Sequence, residues 1–169
     1  PTRRPSDLDA SIPTDLGEFL RSSNGDLKPL AELAGKAPSS ARRPLASIAF
    51  GLPVARPSKI ICLGLNYLDH VKEGPQRDNI PKFQSIFFRM RSSLTGHLQP
   101  LLRPQKSIQF DYEGELVVII GKRARHLTLE NATDCVAGYT CGNEGSIREY
   151  QRHTTQWGMG KNFDQSGAI

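Results

Sequence analysis

Apolar residues recur along this chain in short bursts, and the spacing inside each burst predicts its element. KIICLG (59–64) and SIFFRM (85–90) are compact runs of strand length, and SIQFDYEGELVVIIG (107–121) reads as one long strand closed by Gly121. Between the first two, LDHVKE falls in a polar loop-helix segment reaching Asp78. LTLENATDCVAGY predicts a short capped helix feeding a strand at GYTCG. SIREYQ predicts a helix start, with Ser146 and Glu149 at the spacing of a capping box. Upstream, LGEFLRSS and LKPLAELAGKA carry short helical spacing, with Gly35 the expected stop. The opening PTRRPSDLDASIP reads as a loose arm, and Pro53 to Pro57 as a linker. The pattern is strand-rich α+β, without the regular strand-helix alternation of a doubly wound sheet.

Within the long strand, Asp111, Glu113 and Glu115 occupy every second position and therefore share one face. Like charges lined up this way repel, and desolvating them costs several kcal/mol each unless something neutralises them. Glu113 and Glu115 stand about 7 Å apart along the backbone, so their side chains can lean toward one ion. All-oxygen ligation favours a hard divalent cation over zinc. The residues alone leave a second reading open, a solvated edge strand whose charges discourage aggregation. Two features argue against it. The run from Leu116 to Ile120 suits a strand covered on both faces, and a third acid, Glu144, lies on the turn before the SIREYQ helix.

His70 and Glu73 fall on one face of a helical turn at i, i+3. A carboxylate beside an imidazole orients the ring and favours its protonated form, as suits a general base near neutral pH. The alternative is an exposed helix pair worth a few tenths of a kcal/mol. His97, His126 and His153 lack such a neighbour in sequence and are expected to be structural or solvated.

Composition narrows the classes. The 169 residues suffice for one domain with a core and a small appendage, and 37% hydrophobic with 23% charged residues is ordinary for a globular protein. No apolar run reaches the roughly 20 residues needed to span a bilayer, and no signal-type leader opens the chain, so a membrane partner is not expected. Cys62, Cys135 and Cys141 are too few and scattered for a disulfide framework, and Cys62 reads as a small hydrophobe, so a reducing, cytoplasmic setting is expected. The charge of +5 is dispersed, with no aromatic-interleaved stripe, which favours attraction of a small anion over nucleic acid.

In order, GLNYLDHVKEG, IFFRMRSSLTG, FDYEGELVVIIGK, AGYTCGNEGSIREYQ and GKNFDQSG resemble the fumarylacetoacetate hydrolase family, in its bacterial acylpyruvase-type branch, over roughly 59–167. The resemblance implies a mixed β-roll and a homodimer. It divides the chain into an appendage and linker, 1–57, and the N-terminal portion of a catalytic roll, 58–169. The family continues into a strand-rich C-terminal half that this chain lacks, so an incomplete representation with exposed strand edges and apolar surface is expected. It implies Mg²⁺ or Mn²⁺ (Ca²⁺ in crystals) on Glu113, Glu115 and Glu144, where the family more often has aspartate at the third position. His70 and Glu73 match the catalytic dyad, and Lys161 in GKNFD a substrate-contacting lysine. Arg89, where the family usually has lysine, and Gln151 match substrate contacts.

The implied activity is metal-dependent hydrolysis of a carbon–carbon bond in small 2,4-dioxo acids. The metal serves as template and Lewis acid, His70 as base and Lys161 as stabiliser of an enolate. Decarboxylation of oxaloacetate, isomerisation or hydration of unsaturated 2-oxo diacids, and a non-catalytic binding role are the alternatives. Side-chain preference is expected to depend partly on the loop 74–83.

Overall fold

The computed structural model describes residues 9–74, 77, 78 and 80–169. Residues 1–8 of the expected N-terminal arm, and 75, 76 and 79 of the 74–83 loop, lie outside the described residues. Two helices open the chain, α1 (Leu16–Ser22) and α2 (Lys28–Lys36). Asp15 caps α1 by accepting from the Glu18 N–H at 2.9 Å, and Phe19 and Leu20 bury the inner face of that helix. α2 runs one residue past Gly35 and ends at Ala37. The expected stop is overridden because Gly35 keeps helical geometry on an exposed face, where glycine costs only about 1 kcal/mol.

Strand β1 (Ile61–Gly64) pairs antiparallel with β2 (Ser85–Phe88), and α3 (Leu68–Glu73) lies between them in sequence. Cys62 faces Phe87, and the ladder runs on to Arg89, whose N–H donates to Ile60 O at 3.2 Å. Cys62, Phe87 and Arg89 therefore share one face. Gly64 has no room for a side chain, since a Cβ there would fall 2.1 Å from the Trp157 ring.

The expected long strand is interrupted. β4 (Phe110–Asp111) pairs with β7 (Ser146–Ile147), and β5 (Gly114–Ile120) with β6 (Val136–Asn143), both antiparallel. The register nevertheless continues through the break: Asp111 faces Ser146, the Glu144 N–H donates to Glu113 O at 2.9 Å, and Gly114 faces Asn143. The two halves are one ribbon. β3 (Leu94–Thr95) lies parallel to β8 (Gly167–Ala168), which joins β6 to complete the order β3-β8-β6-β5. Two one-turn helices, α4 (Arg148–Gln151) and α5 (Gly158–Lys161), close on the ribbon's end.

Two further expectations are corrected. Ser146 is in a strand and gives its hydroxyl to carboxylate and carbonyl oxygens, so no capping box forms and α4 starts without a side-chain cap. Glu149 instead accepts from the Ser107 hydroxyl at 2.6 Å. β5 is also not covered on both faces: Leu116, Val118 and Ile120 are 61, 45 and 58% exposed, while the face of Glu115, Val117 and Ile119 is half-buried. Among the described residues, no layer lies over the first face. Among the described residues, the deepest positions are largely polar, with Lys161, Ser93, Ser107, Ser146 and Ser166 fully buried beside Ile147.

Candidate active site

Two ribbon faces meet at that polar centre. From β1–β2 come Cys62, Phe87 and Arg89. From the β4–β7 ribbon come Asp111, Glu113 and Glu115 and, through the antiparallel register, Glu144, Ser146 and Arg148 on the same side. Lys161, the last residue of α5, enters between them, and its Nζ lies 5.1 Å from the Phe87 ring centroid.

Glu113 is the hub. Lys161 Nζ donates to both of its oxygens at 2.9 Å, Arg148 Nη1 donates to Oε1 at 2.6 Å, and the Ser146 hydroxyl stands 3.0 Å from the same oxygen. Burial pushes its carboxyl up, but Lys161 and Arg148 outweigh that and hold it below the usual carboxylate range. Arg148 reaches back to Asp111 Oδ2 with Nε and Nη2 at 2.8 and 2.7 Å, and those bonds hold Asp111 low as well. Glu144 is gripped from the other side. Arg89 Nη1 donates to its Oε1 at 2.6 Å, the Cys62 thiol to its Oε2 at 3.5 Å, and Lys161 lies 3.9 Å away. Burial, with the Glu144 charge next, pushes the Cys62 thiol up to about 12, so it stays a neutral donor.

Glu115 differs from its neighbours. Among the described residues, no hydrogen bond or ion pair joins its carboxylate to a cation. Burial first, then the Glu113 charge and, more weakly, that of Glu144 raise it, and together they outweigh the opposing pull of Lys161 and His70. His70 on α3 thus lies within electrostatic reach of the carboxylate cluster, while no hydrogen bond or ion pair joins it to Glu73 among the described residues. Both side chains of the expected dyad are exposed. Gln151 accepts from Arg148 Nη1 at 2.8 Å.

The chemistry of the donor set fits a hard divalent cation. It offers three carboxylates and no soft ligand except a protonated thiol, and one of those carboxylates is half-buried and unneutralised. As placed, the side chains are turned toward Lys161, Arg148 and Arg89, and among the described residues no three His, Cys, Asp or Glu gather closely enough to ligate one ion. The repulsion along the ribbon is therefore answered first by the protein's own cations.

Sequence reasoning missed Arg148, Ser146 and Cys62. Arg148 was findable: once Glu113 stands opposite Glu144, antiparallel counting puts 148 opposite 109 and diagonal to Asp111. Cys62 carried no signal, since its partner Glu144 lies 82 positions away.

Known proteins bear on this geometry. The fumarylacetoacetate (FAA) hydrolase C-terminal family profile matches residues 59–169. Oxaloacetate tautomerase FAHD2A, mitochondrial, of Homo sapiens is 36% identical over 160 residues, covering 93% of this chain and 49% of that protein. The chain spans about half the length of the curated relatives it matches. Among solved structures, the fumarylacetoacetate hydrolase of Exiguobacterium antarcticum superposes with a TM-score of 0.69 at 32% identity, covering 92% of this chain and 53% of that one. The 2-hydroxyhepta-2,4-diene-1,7-dioate isomerase of Mycobacterium marinum gives 0.63 at 28% identity, covering 75% and 45%. These matched proteins carry the names of enzymes, and the two solved structures share the α+β arrangement described above over the part that this chain covers. Among the described residues no helix is long and apolar enough to cross a membrane. With a profile match spanning the whole carboxylate ribbon, both arginines and Lys161, the chain belongs to the fumarylacetoacetate hydrolase family.

Proposed function

We propose that this chain carries the acidic part of an enzyme site that moves a proton at the carbon next to the 2-oxo group of a small dicarboxylate, interconverting keto and enol forms. The observation that carries the reading is Glu115: a half-buried, unneutralised carboxylate beside two others that are already paired. Such a group is a natural seat for a divalent cation or a proton. Glu113, Glu115 and Glu144 would hold Mg²⁺ or Mn²⁺, which supplies electron withdrawal at the 2-oxo oxygen. Lys161, buried and already between two carboxylates, adds fixed positive charge where an enolate oxygen builds up negative charge. His70, near Glu115 and exposed, would carry the proton to or from solvent, and Glu73 one turn on would orient it. The Gln151 amide nitrogen has no acceptor among the described residues and suits a substrate carboxylate. The names of the human tautomerase and the mycobacterial isomerase support this choice.

A second reading keeps the same residues and adds water, cleaving a carbon–carbon bond of a 2,4-dioxo acid. The name of the Exiguobacterium relative favours it. Both are tested by adding the purified protein to enol oxaloacetate and, separately, to an acylpyruvate, with Mg²⁺ or Mn²⁺ and then with chelator. Ultraviolet absorbance follows the enol, and pyruvate release follows cleavage. Metal-dependent enol decay that is lost in Glu115→Gln is expected. Decay unaffected by chelator, or no decay with either metal, refutes the leading reading.

A further inference from the structure

A guanidinium has five N–H donors. In Arg89 all five point at protein. Nε donates to Ser93 Oγ at 3.0 Å, Nη1 to Glu144 Oε1 at 2.6 Å and Gly145 O at 3.3 Å, and Nη2 to Ser166 Oγ at 2.7 Å and Ser93 O at 3.3 Å. The side chain is 1% exposed. The backbone closes around it: a Cβ on Gly167 would fall 2.7 Å from Arg89 Cζ, and one on Gly145 would fall 1.9 Å from Ser166 O. No donor is left over for a substrate carboxylate, so the anchoring role expected from sequence is not what this geometry supports.

We propose that Arg89 is a positioning residue: it fixes the Glu144 carboxylate and pins the 144–146 and 165–167 segments to the end of β2, without touching substrate. Two observations and one chemical argument converge on this. The five acceptors belong to three segments that are remote in sequence. Glu144 reaches the site on a long, rotatable side chain, which needs holding on both oxygens, and Arg89 and Cys62 take one each. Although the family usually has lysine here, one ammonium with three donors could not fill the five acceptors that this chain arrays around a planar fork. Its effect on turnover rests on the reading of this cluster as the active site.

Two measurements test it. Arg89→Lys is assayed with oxaloacetate and with a 2-oxo acid lacking the second carboxylate. The expected result is a fall in kcat of about ten-fold or more for both, with KM inside about two-fold. An unchanged kcat, or a KM rise of about ten-fold confined to the dicarboxylate, overturns the proposal. The second measurement needs no turnover and no Arg89 variant. In ¹⁵N-labelled protein, Arg89 Nε–H is expected to exchange with solvent about 100-fold more slowly than the exposed arginines, and to speed up about ten-fold in Glu144→Gln. Exchange as fast as an exposed arginine, or indifferent to Glu144→Gln, also overturns it. Slow, Glu144-dependent exchange in a protein that turns over no 2-oxo acid would sink the active-site reading while leaving the positioning role standing.

Discussion

Replacing Lys161 by methionine removes a charge while keeping most of the volume, so the loss is electrostatic rather than a cavity. Lys161 is 2% exposed and gives both Glu113 oxygens a hydrogen bond at 2.9 Å. Removing one partner of a buried pair costs about 3–5 kcal/mol when the other is left stranded. Here Glu113 is 23% exposed and keeps Arg148 at 2.6 Å and the Ser146 hydroxyl, so the expected cost is nearer about 2–3 kcal/mol. For a chain of this size that is a fall in Tm of about 5–10 °C. Glu113→Gln should cost more, about 3–5 kcal/mol, because it leaves the buried ammonium with Glu144, 3.9 Å away, as its one carboxylate within ion-pair distance among the described residues. The double variant strands neither charge against the other, and should fall short of the sum by about 1–3 kcal/mol. Urea denaturation followed by circular dichroism at pH 7, with chelator present so that no divalent cation contributes, reads all four corners of the cycle. A sum that closes within about 0.5 kcal/mol, or a Lys161→Met protein as stable as its parent, would refute the pairing on which the site is built.

Gly145→Ala sets a methyl 1.9 Å from the Ser166 carbonyl oxygen, which is backbone and cannot swing aside, so a stability loss of about 2–4 kcal/mol is expected in the same denaturation assay. Acid should weaken the fold through Glu113. Its folded value lies below its ordinary 4.5, so its contribution is full above about 4.5 and lost as pH falls through the lower folded value. Glu115, raised in the fold, acts in the opposite sense, gaining stability as pH drops through its folded value and softening the decline. Glu113→Gln is expected to flatten the midpoint-against-pH curve below pH 5, and an unchanged slope would show that the acid sensitivity lies elsewhere.

The elements nearest the site were the easiest to read from sequence, because alternation and short apolar runs are local signals. KIICLG, SIFFRM and the ribbon strand stand close to their expected places, and alternation correctly put Asp111, Glu113 and Glu115 on one side. What local signals could not supply was competition for partners. Ser146 and Glu149 have capping-box spacing, but each found a partner elsewhere in the fold, Ser146 the Glu113 carboxylate and Glu149 the buried Ser107 hydroxyl. Arg89 had the right charge for a substrate anchor, and only the placement of Ser93, Gly145 and Ser166 around it shows its donors to be spent. The apolar run from Leu116 to Ile120 suits a strand covered twice, yet the described residues cover it once.

Charge counting explains how the cluster holds together and what it leaves over. Asp111, Arg148, Glu113, Lys161, Glu144 and Arg89 form an alternating chain of ion pairs that sums to zero. Each carboxylate in it is held by a cation, so the repulsion along the ribbon is met from within the chain. Glu115 is the remainder, one negative charge set against two that are already matched. On the proposed reading, a divalent cation would bring the sum to +1, and only then would a small dicarboxylate meet an attractive rather than a repulsive field. The order of binding follows from the charges: cation first, anion second. Neutralising Glu115 therefore should weaken the cation more than the fold, whereas neutralising Glu113 or Glu144 unmatches a buried cation and weakens both.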